Sequence, residues 1–256
     1  MNAVTKLRKA MRLILVGPPG SGKGTQSGRL LSHFQMSAIS SGDLLRENIR
    51  EKTPLGLEAE KIIRDGGLVA DDIMVGLIIG ELSKRGWVES RSNLSSGVTV
   101  SGAMEMLGGT PKTTRLQACE APSSSFLLDG FPRTKCQAKR LDEQVHMNFV
   151  VNLDVPSDVI LERIAGRMVH VPSGRVYNTG WNPPRVPGID DVTGEPLTRR
   201  PDDCPEAFAH RLKVYYESTF PLLEHYDKVG LLWTVKGNSS DEITPVLDEE
   251  ILKRFG

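Results

Sequence analysis

The chain has 256 residues, enough for one large α/β domain. Its 32 basic and 32 acidic residues cancel, so we expect no bulk electrostatic attraction to nucleic acid. No apolar run reaches about 18 residues, so we expect no membrane span. The cysteines, Cys119, Cys136 and Cys204, are far apart and odd in number, which argues against a disulfide framework or a clustered metal site.

The N-terminal stretch MNAVTKLRKAMR is basic and contains no acidic residue. This pattern fits a short amphipathic mitochondrial address, and it equally fits a solvated basic tail over residues 1–11. The sequence leaves both interpretations open.

Apolar runs and helical patterns alternate along most of the chain. Strands are predicted at 12–17, near 38–40, and at 126–129, 148–155 and 231–235. Helices are predicted at about 23–33, 43–51, 56–65, 71–85, 134–144, 157–168, 205–227 and 241–254. Strand–helix alternation predicts a parallel sheet covered by helices on both faces, with ligands at the carboxyl ends of the strands.

The first predicted strand runs into the glycine-rich stretch LVGPPGSGKGTQ. Gly17, Gly22 and Lys23 give the pattern GxxxxGK between a strand and a helix, which is the context of a phosphate-binding P-loop. Glycines let backbone N–H groups turn toward a phosphate, and the following helix N-terminus adds partial positive charge. Gly24 stands where a Ser or Thr usually follows the lysine, and Thr25 comes next.

Two stretches interrupt the alternation. Residues 170–203 contain six prolines with many Gly and Asp residues, and they predict a loop-rich lid. Residues 91–125 are rich in Ser, Gly and Thr with weak periodicity. We expect a disordered insertion with no fold of its own, either a surface loop or, near 98–117, translation of a retained intron.

Several motifs in the right order resemble the adenylate kinase family. GPPGSGKGT is similar to that family's P-loop, SSGDLLR (40–46) to its AMP-site segment, and LLDGFPR (127–133) to its signature. RMVHVPSGRVYN and NPPRVPGIDDVTGEPLTRRPDD are similar to its long-form lid. The resemblance covers about residues 12–90 and 125–254. Within the family, GIDDVTGEPL, VVNLDVP and the basic N-terminus look most like the mitochondrial GTP:AMP phosphotransferases.

The resemblance implies a three-layer α/β fold: a P-loop kinase core with a parallel sheet, an AMP-binding insert and a lid. The implied boundaries are a core at 12–39, 70–90, 126–166 and 204–256, the insert at 40–69 and the lid at 167–203. The implied reaction transfers a phosphoryl group from a nucleoside triphosphate to AMP with Mg²⁺. The resemblance favours GTP over ATP, the mitochondrial matrix over the cytoplasm, and a monomer. A kinase for another monophosphate and a catalytically silent P-loop protein remain alternatives.

Phosphoryl transfer between nucleotides needs several guanidinium groups and no general base. The resemblance implies a catalytic set of Lys23, Asp129, Arg133, Arg167, Arg200 and Arg211. It implies triphosphate contacts from Gly17, Gly20, Ser21, Gly22, Lys23, Gly24, Thr25, Arg163, Arg167 and Gly237. It implies AMP contacts from Ser41, Arg46, Leu68, Val69, Gly130, Arg133, Gln137, Arg200 and Arg211.

Some of these positions carry a more specific expectation. Arg163 would lie against the donor base, and Gln137 would read the adenine of AMP. Ser41 would lie near the AMP base or act as a helix N-cap. Asp129 and Asp43 would order waters on Mg²⁺, although Asp43 also fits an ordinary first-turn helix carboxylate.

Some relatives pin the lid with a zinc ion bound by cysteines. The corresponding positions here are His170, Ser173, Asp190 and Thr193, and none of them is a thiolate. Structural zinc favours Cys and His, so we expect a hydrogen-bonded cluster and no zinc.

Overall fold

A computed structural model describes residues 4–64, 67–90, 116–200 and 203–256. Its strands are β1 (Arg12–Val16), β2 (Ser37–Ser40), β3 (Val88–Ser90), β4 (Leu116–Ala118), β5 (Phe126–Asp129), β6 (Phe149–Asp154), β7 (Arg167–Val169), β8 (Val176–Asn178) and β9 (Leu232–Lys236). Its α-helices are α1 (Lys23–His33), α2 (Ser41–Arg50), α3 (Pro54–Arg64), α4 (Asp71–Lys84), α5 (Lys135–Gln144), α6 (Ser157–Ala165), α7 (Pro205–Val214), α8 (Phe220–Lys228) and α9 (Ser240–Phe255). Among these helices none is both long and apolar enough to cross a bilayer.

Five parallel strands form the central sheet in the order β2-β5-β1-β6-β9. Successive side chains of β1 serve opposite faces: Leu13 and Leu15 belong to one hydrophobic core, and Ile14 and Val16 to another. Both faces are therefore covered, which explains why the strand is continuously apolar. This arrangement confirms the predicted three-layer α/β core.

Two predicted helices end differently from expectation. The helix predicted at 157–168 ends at Ala165, and Arg167 instead begins a short strand of the lid region. The helix predicted at 205–227 is interrupted by a π-helical turn at Tyr215–Thr219. Pro221 follows that turn, and because proline has no N–H to donate, it sits in the first turn of a new helix.

Residues 4–11 do not form a solvated tail, so that alternative is wrong for this segment. The Thr5 N–H donates to the His33 carbonyl at 2.7 Å, and the Arg8 N–H donates to the Phe255 carbonyl at 2.7 Å. Leu7 and Met11 are buried while the basic side chains between them stay exposed. The segment therefore fastens the loop after α1 to the end of α9.

The expectation that residues 91–125 lack a fold is wrong for residues 116–125, while residues 91–115 lie outside the described residues. Strand β4 pairs antiparallel with β3, and the Cys119 N–H donates to the Trp87 carbonyl at 3.0 Å. Buried Arg12 reaches Glu120 at 3.0 Å and the His146 carbonyl at 2.6 Å. The segment just before β5 is therefore part of the core.

Deleting residues 95–121 is expected to lower the melting temperature, because it removes β4 and the Glu120 contact of buried Arg12. Each lost hydrogen bond is worth about 1 kcal/mol, and each kcal/mol shifts Tm by roughly 2–4 °C. Deletion of 95–114, which keeps β4, is the matched control. Differential scanning calorimetry should give the longer deletion a Tm several degrees below that of the shorter one, and equal values would contradict a structural role for β4.

Candidate active site

A cleft of about 1310 Å³ opens at the carboxyl ends of the central strands. It exceeds the ~300–1,000 Å³ typical of a single small-molecule site. The predicted site residues that line it are Gly17, Gly20, Gly22, Lys23, Gly24, Thr25, Asp43, Arg46, Leu68, Asp129, Gly130, Arg133, Arg163, Arg167, Arg200 and Arg211. The fold thus brings the P-loop, the predicted AMP insert and the predicted lid arginines to one cavity.

The P-loop depends on glycine at two of its turns. Gly20 and Gly22 have φ values of +86° and +91°, which side-chain-bearing residues rarely adopt. A Cβ on Gly20 would also lie only 2.9 Å from Ile160 Cγ2. Gly22 then caps α1, whose first N–H groups and partial positive charge face the loop.

Lys23 folds back over this loop. Its Nζ donates to the carbonyls of Gly17 at 2.7 Å and Pro18 at 2.9 Å. Burial lowers the pKa of Lys23 to about 8, Asp129 opposes this shift, and Arg133 with other nearby guanidiniums reinforces it. The excess of cations around Lys23 makes an anionic ligand favourable.

Arg167 and Arg211 approach each other from β7 and α7 around one carboxylate. Arg167 Nε donates to Asp203 Oδ2 at 2.7 Å, and Arg167 Nη2 contacts Oδ1. Arg211 Nη1 lies 3.4 Å from the same Oδ1. The side chain of Asp203 is only 3% exposed. Asp203 was not among the predicted site residues, and the only signal for it was the acidic pair that ends the lid motif.

A second group of arginines lies around α2 and the end of β5. Arg46 forms an ion pair with Asp43 one helical turn away, and Arg133 Nε donates to the Gly130 carbonyl at 2.7 Å. Burial raises the pKa of Asp43, but the contributions of Arg46, Ser40 and Arg200 together exceed it, so the net shift is downward. Asp43 therefore stays ionised and balances these guanidiniums.

Asp129 closes β5 and faces Lys23. Burial raises the pKa of this carboxyl group, Lys23 and Arg133 oppose the shift, and nearby Asp43 adds to it. Two neighbouring carboxylates offer the hard oxygen atoms that Mg²⁺ prefers, and Mg²⁺ usually keeps several of its waters. Within the described part of the chain, no group of three His, Cys, Asp or Glu side chains is placed to hold a metal ion. The pair therefore fits a Mg²⁺ ion held mainly by phosphates and waters.

Some predicted contacts do not line the cleft in this structure: Ser21, Ser41, Val69, Gln137 and Gly237. Ser41 is buried and its hydroxyl donates to the Gly130 carbonyl at 2.7 Å. The N-cap of α2 is Ser40, whose Oγ accepts from the Asp43 N–H at 3.2 Å. The N-cap alternative for Ser41 is therefore wrong.

Gln137 is only 2% exposed, and both ends of its amide are engaged. Its Oε1 accepts from the Arg133 N–H at 2.7 Å, and its Nε2 donates to Asp71 Oδ1 at 2.8 Å. Gln137 thus braces the start of α5 behind Arg133.

The predicted lid cluster is hydrogen-bonded, as expected. His170 Nδ1 lies 2.6 Å from Ser173 Oγ, and Thr193 Oγ1 donates to Asp190 Oδ2 at 2.9 Å. The sequence missed Glu195, whose carboxylate lies 2.5 Å from His170 Nε2.

Asp190 is the centre of this cluster. Arg175 donates to both of its oxygens, at 2.8 and 2.6 Å, and the Tyr177 hydroxyl donates at 2.9 Å. These hydrogen bonds, Arg175 first, hold the pKa of Asp190 well below its usual range although burial opposes the shift. Arg175 and Tyr177 precede Asp190 by more than ten residues, so spacing gave no signal for them.

Arg163 joins three separate parts of the cleft wall. Its Nη2 donates to the Asn238 carbonyl at 2.9 Å in the loop after β9, and its Nη1 reaches the Gly20 carbonyl at 3.4 Å. Its guanidinium lies 5.3 Å from the centroid of the Trp181 ring. Trp181 lines the cleft but was absent from the predicted site.

Comparison with known proteins gives one matching family model and close relatives in yeast. The family model "Adenylate kinase" matches residues 15–93 and 112–231. A protein of Saccharomyces cerevisiae named "GTP:AMP phosphotransferase, mitochondrial" is 46% identical over 259 residues, covering 99% of this chain and 97% of that protein. Another of the same name, from S. cerevisiae strain ATCC 204508 / S288c, is 46% identical over 246 residues, covering 94% and 95%.

Raising the pH above about 8 is expected to weaken the binding of a nucleoside triphosphate. Lys23 is protonated below its pKa of about 8, and only its ammonium form attracts phosphates. Calorimetry should give a dissociation constant that rises by up to about tenfold for each pH unit above 8. Lys23→Met, uncharged and of similar length, should abolish this slope. A wild-type constant that stays flat through this range would contradict the assignment.

Asp203→Asn is expected to destabilise the free protein by about 2 kcal/mol, because two guanidiniums lose their shared carboxylate. An added nucleoside triphosphate should supply the missing negative charge and raise the Tm of this variant more than it raises that of wild type. Glu224→Gln, which removes an exposed ion pair with Lys228, is the control. If the nucleotide raised Tm equally in all three proteins, Asp203 would not be balancing the phosphate-binding arginines.

Proposed function

The chain belongs to the adenylate kinase family, and on that premise we propose that it transfers the terminal phosphoryl group of a nucleoside triphosphate to AMP. The products are a nucleoside diphosphate and ADP. The observation that carries this proposal is the convergence of Lys23 with Arg133, Arg167 and Arg211 on one cleft. The name of the yeast relatives, together with the GIDDVTGEPL lid motif, supports GTP as the preferred donor.

Phosphoryl transfer asks the protein mainly for positioning and charge stabilisation. The P-loop amides and Lys23 would bind the donor phosphates, while Arg46 and Arg133 would hold the AMP phosphate. Arg167 and Arg211 would lie against the group in transfer. The acceptor phosphate is largely ionised near neutral pH, since its second pKa is ~6, so no general base is required.

The arginines already have acceptors that substrate phosphates can replace. Arg46 contacts Asp43, Arg133 contacts a carbonyl, and Arg167 shares Asp203 with Arg211. Their guanidinium planes are therefore oriented before the ligands arrive. Bidentate phosphate binding then requires an exchange of partners instead of the ordering of mobile side chains.

Adenylate kinases use Mg²⁺ with their nucleotides, and the carboxylates of Asp129 and Asp43 fit that ion. When bound, Mg²⁺ neutralises charge on the donor phosphates. Asp129 and Asp43 would accept hydrogen bonds from its water ligands. No structural zinc is proposed, because the hydrogen-bonded cluster around Asp190 holds the lid together.

Several of the residues predicted to bind AMP do not line the cleft in this structure. Leu68 lines the cleft, whereas Ser41, Val69 and Gln137 lie behind its wall. For Gln137 to read adenine, its amide would exchange the contact with Asp71 for the base. We propose that residues 40–69 and 167–203 close over the two nucleotides and exclude water, which otherwise competes as acceptor.

The relatives are named mitochondrial, and we propose the mitochondrial matrix for this chain, with the cytoplasm as the alternative. We propose a monomer. A kinase for another monophosphate and a silent nucleotide-binding protein are the competing functions, and one assay series separates all three.

Initial rates of ADP formation should be measured with GTP, ITP and ATP at saturating AMP. GTP is expected to give the highest kcat/KM, and ITP reports on the exocyclic amine of guanine. Lys23→Ala is the control and should lose at least a hundredfold, about 2.7 kcal/mol of transition-state stabilisation. A preference for ATP would make the chain an ATP:AMP kinase. When GMP, CMP or UMP replaces AMP, faster formation of the corresponding diphosphate would identify another monophosphate kinase. No product with any acceptor would identify a silent binder.

Purified protein is expected to contain no stoichiometric zinc, and EDTA should leave its Tm unchanged. EDTA should nevertheless stop phosphoryl transfer by removing Mg²⁺, which added Mg²⁺ should restore. Asp190→Asn should lower the Tm, because Arg175 and Tyr177 lose an ionised acceptor. Zinc at one ion per chain, measured by elemental analysis, would contradict a lid held by hydrogen bonds.

A further inference from the structure

Trp181 is an exposed indole in an otherwise polar part of the cleft wall. Its exposed fraction is 43%, although it lies in the lid region and lines the cleft. The chain has only three tryptophans, and burying this one would remove a large apolar surface from water. An exposed indole that lines the cleft is therefore a candidate for ligand binding.

The turn that carries Trp181 is fixed by one side chain. Asn178 Oδ1 accepts from the N–H groups of Gly180 at 2.9 Å and Trp181 at 3.1 Å. Asn178 Nδ2 donates to the Arg163 carbonyl at 2.6 Å. Backbone hydrogen bonds of 2.9 and 3.1 Å between Asn178 and Asn182 close the same turn. Asn178 thus ties the turn of the lid to the last turn of α6.

The consequence is a cation–π contact between Arg163 and Trp181. The guanidinium carbon of Arg163 lies 5.3 Å from the indole centroid, and the edge of the group donates to the Asn238 and Gly20 carbonyls. A planar guanidinium stacks well on an indole, and a purine can stack on its opposite face. The carbonyls restrain the edge of the guanidinium, and the indole lies against one of its sides.

We propose that Trp181, held by Asn178, is a positioning residue that orients the Arg163 guanidinium as the platform for the purine base of the donor. This inference rests on the proposed function, since it assigns the base end of the triphosphate site. Arg163 stands on a core helix and Trp181 on the lid. Their contact therefore links binding of the donor base to the position of the lid.

The test compares two ligands that share phosphates but not a base, GTP and inorganic tripolyphosphate. Calorimetry should show that Trp181→Leu raises the dissociation constant of GTP by about three- to tenfold, the range of a cation–π contact. The constant for tripolyphosphate should change less than about twofold. Trp181→Phe, which keeps an aromatic face, should restore most of the GTP affinity. Trp233→Phe, at a tryptophan outside the cleft, is the matched control.

A double-mutant cycle separates positioning through Arg163 from a direct role. In an Arg163→Ala background, Trp181→Leu should have no further effect on the GTP constant. In steady-state assays Trp181→Leu should raise KM for GTP and leave kcat and the KM for AMP within about twofold.

The proposal is overturned if Trp181→Leu weakens tripolyphosphate as much as GTP, if Phe and Leu variants behave alike, or if the two substitutions are additive. The binding measurements do not depend on turnover. If no ADP forms while GTP binding follows the expected pattern, the proposed activity fails and the platform stands.

Discussion

Concentrated positive charge is the constraint around which this cleft is built. Burial lowers the pKa of Lys23 to about 8, and the charges of Arg133, Arg211 and Arg167 lie close enough to add to that shift. Carboxylates and backbone carbonyls lie between these cationic side chains and reduce their mutual repulsion. Asp203 separates two of the guanidiniums, and Asp129 faces the lysine. The fold is therefore arranged to accept several phosphates at once, and the strands serve to bring these side chains to one edge of the sheet.

The predicted lid region depends on a second buried carboxylate. Its loops are too rich in proline and glycine to form a hydrophobic core of their own. One buried carboxylate, Asp190, collects donors from Arg175, Tyr177 and Thr193, while His170 joins the serine and glutamate on the other side. Because each of these groups is satisfied by another, removing any one leaves a buried polar atom without a partner. These hydrogen bonds therefore join the loops of this region to one another.

The sequence predicted the sheet, the P-loop and the arginines that line the cleft, because those features are local or carried by motifs. Lys23 begins the helix that follows the first strand, and the residues next to it in the sequence predict both elements. Asp203, Trp181 and Glu195 were not predicted, since each acquires its role from a partner many positions away. The packing of residues 4–11 and the pairing of β4 were missed for the same reason. Composition marked both segments as polar, but a few apolar side chains and backbone hydrogen bonds fix them to the core.

The contact between Arg8 and Phe255 spans nearly all of the described chain, so it cannot form until α9 has been synthesised. Until then Leu7 and Met11 have no core to enter, and the basic segment around them is a free, amphipathic stretch. Folding buries Leu7, Ala10 and Met11 and leaves the basic side chains exposed. Any receptor that reads this segment as an amphipathic helix must therefore do so on the nascent or unfolded polypeptide. The same residues change from an accessible amphipathic stretch to a structural strap when the last helix docks.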